Sequence, residues 1–263
     1  MKTLRRTAKL LLARAVGALA RIATRPHGRP PRFLVGNYQR FDGNALHFAL
    51  HCAGRKDGRV QAVGRDAADV ERLKGMGIPA VRFGSLAELF AMARADYVFT
   101  AGHTFTDFSL PIGRAVHVRL YHGMPLKAVG NVGRPSPDPM EPCDFAIATS
   151  PLTEGFVRAA LTGPETPIWI TGEPKTDRLR IGADVNVNRP WLPLPGVRHV
   201  VGYVPTWRHD FSRVEGGDYA AAPETMRRAV RELRSNAALQ EVLLRHQAAL
   251  VVKPHPWDYQ AED

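Results

Sequence analysis

From residue 33 to residue 185 the chain repeats one pattern: a short apolar run, then a capped helical stretch, then another apolar run. "RFLVGN" reads as a strand and "NALHFALHCAG" as a helix ending at Gly54. "RVQAVG" and "DAADVERLKGMG" form the next pair, with Asp66 as the helix cap, and "PAVRFG" follows. "SLAELFAMARA" has Ser85 as N-cap and Glu88 three residues on, the capping-box spacing. "DYVFTAG", "AVHVRL", "DFAIATS" and "PIWITG" read as strands, with the helix "PLTEGFVRAAL" opened by Ser150 and Pro151 before the last of them. Parallel strands need crossover connections, so this order predicts an α/β fold: a parallel sheet covered by helices. "NVNRPWLPLPGV" (186–197) breaks every period and reads as a linker. Beyond it come a strand "RHVVGYVP", one long helix "PETMRRAVRELRSNAALQEVLLRHQA" and a strand "ALVVKPHP". The expected organisation is an arm at 1–32, a Rossmann-like domain at 33–185 and a partial second Rossmann-like domain at 186–263.

The net charge of +11 suggests nucleic acid, but its distribution argues against that. Residues 1–40 hold ten Lys or Arg and no Asp or Glu, which leaves +1 for the rest. The basic character therefore belongs to the arm. In "MKTLRRTAKLLLARAVGALARIATR", Leu4, Ala8, Leu11, Leu12, Ala15, Leu19 and Ile22 form one apolar stripe at helical spacing. A basic amphipathic helix suits an anionic membrane surface, where each basic residue contributes about 1 kcal/mol. Arg14 and Arg21 interrupt it too often for a spanning helix or a secretory signal. Packing on its own domain and a cleaved targeting peptide are the other readings of the arm. Cys52 and Cys143 cannot form a disulfide framework and fit a reducing compartment.

Open parallel sheets place ligands at the carboxyl ends of their strands, so the chemistry is sought there. "YHGMPLKAVG" (121–130) follows "AVHVRL" and presents His122 and Lys127 between Gly and Pro. An imidazole can act as a base near neutral pH and an ammonium can hold a phosphate, although a plain structural turn with an incidental His accounts for the stretch equally well. "TGEPKTDRL" (171–179) presents Lys175, Asp177 and Arg178 in a loop. "VPTWRHD" (204–210) presents Thr206 and Arg208, the latter suited to bidentate phosphate recognition. "VVKPHP" (251–256) presents Lys253 and His255. Four such loops after four strands would converge on one cleft for an anionic leaving group.

Other signals fail. "GMGIPA" ends a helix where a dinucleotide fingerprint must begin one. His47 and His51 lack the Glu of a zinc-protease motif. There is no GxSxG, no Walker A motif and no cysteine cluster, and no cofactor or metal is expected. Asp96 reads as a cap or turn residue.

The ordered set "LYHGMPLKAVG", "IATSPLTEGF", "ITGEPKTDRL", "YVPTWRHD" and "VVKPHP" resembles the CDP-glycerol glycerophosphotransferase family of teichoic-acid primases and polymerases. The resemblance runs over about residues 33–256. It implies a GT-B fold, two Rossmann-like domains with the active site between them. It also implies transfer of glycerol phosphate, or ribitol phosphate, from a CDP-activated donor to a hydroxyl of a membrane-linked acceptor at the cytoplasmic membrane face, with release of CMP. On that basis His122 is the expected general base. His255, Thr206 and Arg208 are expected to hold the donor diphosphate with added charge from Lys253, while Lys127, Lys175 and Asp177 belong to the acceptor side or cleft.

Where the family has "HGTPLK" this chain has Met124, and "GYPRND" is replaced by "GEPKTD", with Glu173, Lys175 and Thr176 at the altered positions. The family continues past "KPHP" with a further strand and a Ser-rich donor loop, whereas this chain stops at Asp263. A C-terminally truncated form is therefore expected. Two other readings stay open: a GT-B glycosyltransferase using a nucleotide sugar, and an inactive membrane-associated remnant that binds acceptor.

Overall fold

The computed structural model describes Ala15 and residues 28–37, 41–55, 58–101, 115–124, 143–161, 165–181, 195–205 and 223–253. Residues 1–27 of the arm apart from Ala15, most of the 186–197 linker, and Lys127, Thr206, Arg208 and His255 lie outside the described residues. The chain divides into two compact units, Met1–Asn186 and Val187–Asp263.

In the first unit seven strands form one sheet: β1 (Arg32–Gly36), β2 (Arg59–Gly64), β3 (Ala80–Arg82), β4 (Tyr97–Thr100), β5 (Val116–Arg119), β6 (Phe145–Ala148) and β7 (Ile168–Ile170). Their order is β3-β2-β1-β4-β5-β6-β7, and every pairing is parallel. The helices are α1 (Gly43–Ala53), α2 (Ala67–Gly75), α3 (Leu86–Arg94), α4 (Pro151–Leu161) and α5 (Pro174–Ile181).

Strand pleating sends alternate side chains to opposite faces, and both faces are covered. Val35, Ala62, Phe99, Val118 and Ile147 pack with Ala45, Ala49 and Cys52 of α1. Leu34, Val63 and Val98 pack on the other face with Met92 of α3. On α4, Val157 and Ala160 pack against Ala146 and Ala148 of β6.

The caps follow the sequence. Asp66 accepts from the Asp69 amide at 2.9 Å, Ser85 from the Glu88 amide at 3.2 Å, and Ser150 from the Thr153 amide at 3.2 Å. The buried Glu88 carboxylate accepts from the Gly84 amide, one residue before the cap. Asp96 joins two strand starts, accepting the Arg32 amide at 2.8 Å and the Arg29 guanidinium at 3.0 Å.

Two expectations are corrected. The segment expected to present Lys175 and Asp177 from a loop is helix α5. Pro174 has no N–H to lose at the first helical position, and the helix lacks an apolar stripe to announce it. The single long helix expected in the second unit is two, α6 (Pro223–Ser235) and α7 (Ala237–Arg245). Asn236 is extended between them, and its side chain caps α7 by accepting the Leu239 amide at 2.9 Å. Strands β8 (His199–Tyr203) and β9 (Ala248–Val252) of that unit pair in parallel. Among the described residues no helix is long and apolar enough to cross a membrane.

Gly64 ends β2 where α2 begins, and a Cβ there would lie 2.9 Å from Val70 Cγ2 and 3.0 Å from the Val70 backbone nitrogen. Backbone cannot yield as a side-chain tip can. Gly64→Ala is expected to destabilise the first unit by about 1–3 kcal/mol, read as a lower urea midpoint; an unchanged midpoint would contradict the close approach.

Candidate active site

The carboxyl ends of the neighbouring strands β4 and β5 lie side by side at the middle of the sheet. β4 ends at Thr100, and the amide of the next residue, Ala101, donates to Gly36 O. β5 ends at Arg119, and Leu120 remains buried. Tyr121 then takes a φ of 53°, the left-handed region, which costs a non-glycine residue roughly 1–2 kcal/mol. This turn brings out His122.

The His122 side chain is exposed, and its ring lies against Tyr121 with centroids 4.2 Å apart. Nδ1 is 3.1 Å from the carbonyl oxygen of Ala101. A carbonyl can only accept, so Nδ1 carries the proton and donates it. In the neutral ring the lone pair is then on Nε2. The imidazole is held in the tautomer that a base needs.

Three residues hold the turn. The buried Asn44, in the first turn of α1, donates from Nδ2 to Leu120 O at 3.2 Å and to Tyr121 O at 2.9 Å. Its Oδ1 accepts the backbone N–H of Lys175 at 3.3 Å. Lys175 donates from Nζ to the backbone oxygen of His122 at 2.9 Å. The same Nζ pairs at 3.1 Å with Oε2 of Glu173, whose side chain is only 6% exposed against 34% for Lys175.

Neighbouring groups are poorer candidates for the chemistry. Burial pushes the Tyr121 hydroxyl above its ordinary pKa, and Arg119 only partly opposes this. Burial likewise pushes the Cys143 thiol up, with Arg119 opposing and Asp144 adding to the shift, so the thiolate is disfavoured. Beneath them, Thr100 Oγ1 and His117 Nε2 form a buried 2.9 Å pair, and the His117 amide donates to Asp144 at 2.7 Å.

Of the residues expected from sequence, His122 and Lys175 come together, and Asp177 is exposed in the first turn of α5. Lys253 is exposed after β9 in the second unit, where its amide donates to Tyr203 O at 3.0 Å. Sequence reasoning did not single out Asn44 or the Ala101 carbonyl. A backbone oxygen has no sequence signature, and one Asn near a helix start carries no motif. Glu173 stood out only as a departure from the family pattern.

A parallel seven-stranded α/β unit with a polar site at its carboxyl edge, followed by a second unit of paired parallel strands, is the GT-B type of architecture. The chain belongs to the CDP-Glycerol:Poly(glycerophosphate) glycerophosphotransferase family, whose model matches residues 33–263. Its structure is similar to three solved structures of variants of the wall teichoic acid polymerase TagF. One, soaked with CDPG, has a TM-score of 0.59 at 16% identity, covering 97% of this chain and 64% of that one. The other two have TM-scores of 0.62 and 0.61 at 17% and 16% identity, each covering 100% of this chain and 66% of the other. The chain thus spans about two thirds of the length of the structures it matches. No curated protein matches the sequence.

Removing the Lys175 ammonium leaves Glu173 as a buried carboxylate without its cation. Lys175→Met is expected to destabilise the first unit by about 1–3 kcal/mol, less than for a fully buried pair because water reaches part of the lysine. Adding Glu173→Gln should restore most of the loss in urea unfolding. Equal stability of Lys175→Met and the parent would show that the pair contributes nothing.

Proposed function

We propose that the protein transfers glycerol phosphate, or a related polyol phosphate, from a CDP-activated donor to a hydroxyl of a membrane-linked acceptor in surface-polymer synthesis. Membership of the glycerophosphotransferase family supports the reaction class. The observation that carries the mechanism is the Nδ1–H of His122 directed at Ala101 O, which leaves Nε2 basic at the carboxyl edge of the sheet.

In this reading Nε2 takes the proton of the acceptor hydroxyl as its oxygen attacks the phosphorus bonded to the glycerol. The bond from that phosphorus to the bridging oxygen breaks, and CMP departs with the electron pair. Charge grows on CMP, and preorganised donors at that position lower the barrier. Thr206, Arg208, Lys253 and His255 of the second unit are assigned that task, with Arg208 offering a planar fork to the diphosphate. Lys127 and Asp177 are assigned to the acceptor side. Lys175 acts there through the backbone of His122, because its ammonium already has two protein partners. The basic stripe of residues 1–25 is assigned to an anionic membrane surface at the cytoplasmic face, where a membrane-linked acceptor is reached.

The test is CMP release from CDP-glycerol and CDP-ribitol with a lipid-linked acceptor. His122→Ala is expected to lower turnover by about 100- to 10,000-fold, the range for loss of a general base. Full turnover by that variant would refute the base assignment. Release of UDP from a UDP-sugar, with no CMP from either CDP-polyol, would instead identify a nucleotide-sugar glycosyltransferase. No turnover of any donor would favour the acceptor-binding remnant.

A further inference from the structure

We propose that Asn44 is a positioning residue for His122, orienting the imidazole through the peptide plane between Tyr121 and His122. The proposal rests on the reading of His122 as the base. The Asn44 side chain is fully buried and meets two carbonyl oxygens and one backbone N–H. Carbonyls accept and an N–H donates, so its amide has only one satisfactory orientation. Nδ2 therefore grips Leu120 O and Tyr121 O, and Oδ1 receives Lys175 N.

The Tyr121 oxygen and the His122 nitrogen belong to one rigid peptide plane. Tyr121 reaches that plane through a φ of 53°, which its own side chain disfavours. Without the Asn44 donors the residue gains by relaxing toward negative φ. Relaxation turns the plane, swings the His122 side chain and breaks the 3.1 Å bond from Nδ1 to Ala101 O. Released from that bond, the ring exchanges between tautomers, and the form basic at Nε2 loses population. Lys175 holds the next carbonyl, that of His122, and is itself seated by Oδ1 of Asn44. One buried amide therefore fixes both ends of the residue that carries the imidazole.

Asn44→Asp replaces the two donors with a carboxylate facing two carbonyl oxygens, and Asn44→Ala removes them without adding charge. Each is assayed for CMP release alone and combined with His122→Ala. Histidine-selective 15N NMR, with the His122 signals assigned by their loss in His122→Ala, reads the tautomer directly. Turnover is expected to fall on the order of 100-fold, as for a displacement of about 1 Å in a reacting group, with KM for CDP-glycerol unchanged. In the His122→Ala background neither change should lower turnover further, because residues acting through one group are not additive. The His122 signals should show protonated Nδ1 in the parent and a tautomer mixture in the variants. Equal fractional losses in both backgrounds, unchanged His122 signals in both variants, or failure of both to fold would each overturn the proposal. A parent that releases no CMP from CDP-glycerol defeats the functional reading alone, since the NMR comparison still decides whether Asn44 orients the ring.

Discussion

Everything in the first unit depends on β1 pairing in parallel on both sides, with β2 on one edge and β4 on the other. The chain first winds outward from β1 to β3, then returns to β4 and winds the opposite way to β7. Parallel crossovers are right-handed, so reversing the winding direction moves the helices to the other face. The packing follows this rule: α1 lies on the Val35 face, while α3 lies on the Leu34 face and α4 against Ala146 and Ala148. In open parallel sheets such a reversal of strand order marks the place where ligands bind, outside the carboxyl ends of the strands. Ala101 and the turn bearing His122 lie along that edge.

The strands and the capped helices were legible because their signals are local. Runs such as "RFLVG" must be buried on both faces, and Asp66, Ser85 and Ser150 sit one residue before helices that need caps. Helix α5 was not legible, because "PKTDRLRI" has no apolar face and takes its place from packing along α1. The break between α6 and α7 was missed because apolar residues continue past Asn236 at helical spacing. At the site, the role of His122 rested on the family resemblance, and only its place after a strand was legible in the residues themselves. Its tautomer was not, since the partner that sets it is a main-chain oxygen 21 residues away in the chain.

Lys175 illustrates why a residue type alone does not give a role. Its charge suggested a residue of the acceptor side or cleft, yet the ammonium pairs with Glu173 and holds a backbone oxygen. The two side chains are two positions apart, a spacing that does not meet within a helix. They meet because Glu173 precedes α5 and only Lys175 is inside it. The raised pKa values of Tyr121 and Cys143 have the same character: they arise from burial that only the folded chain creates.

The bond between Asn44 and Lys175 spans 131 positions, and that between Nζ of Lys175 and His122 spans 53. Contacts so distant in sequence form late, because long loops must close before the contacts offset their entropy. During synthesis, the turn after β5 emerges well before the helix that secures it. The nascent chain can build the centre of its sheet and seat Tyr121 O on Asn44 while the His122 carbonyl still lacks the ammonium that holds it. The turn would then gain its second anchor only with the last elements of the unit, so a partly made protein would hold its imidazole less firmly than the finished one.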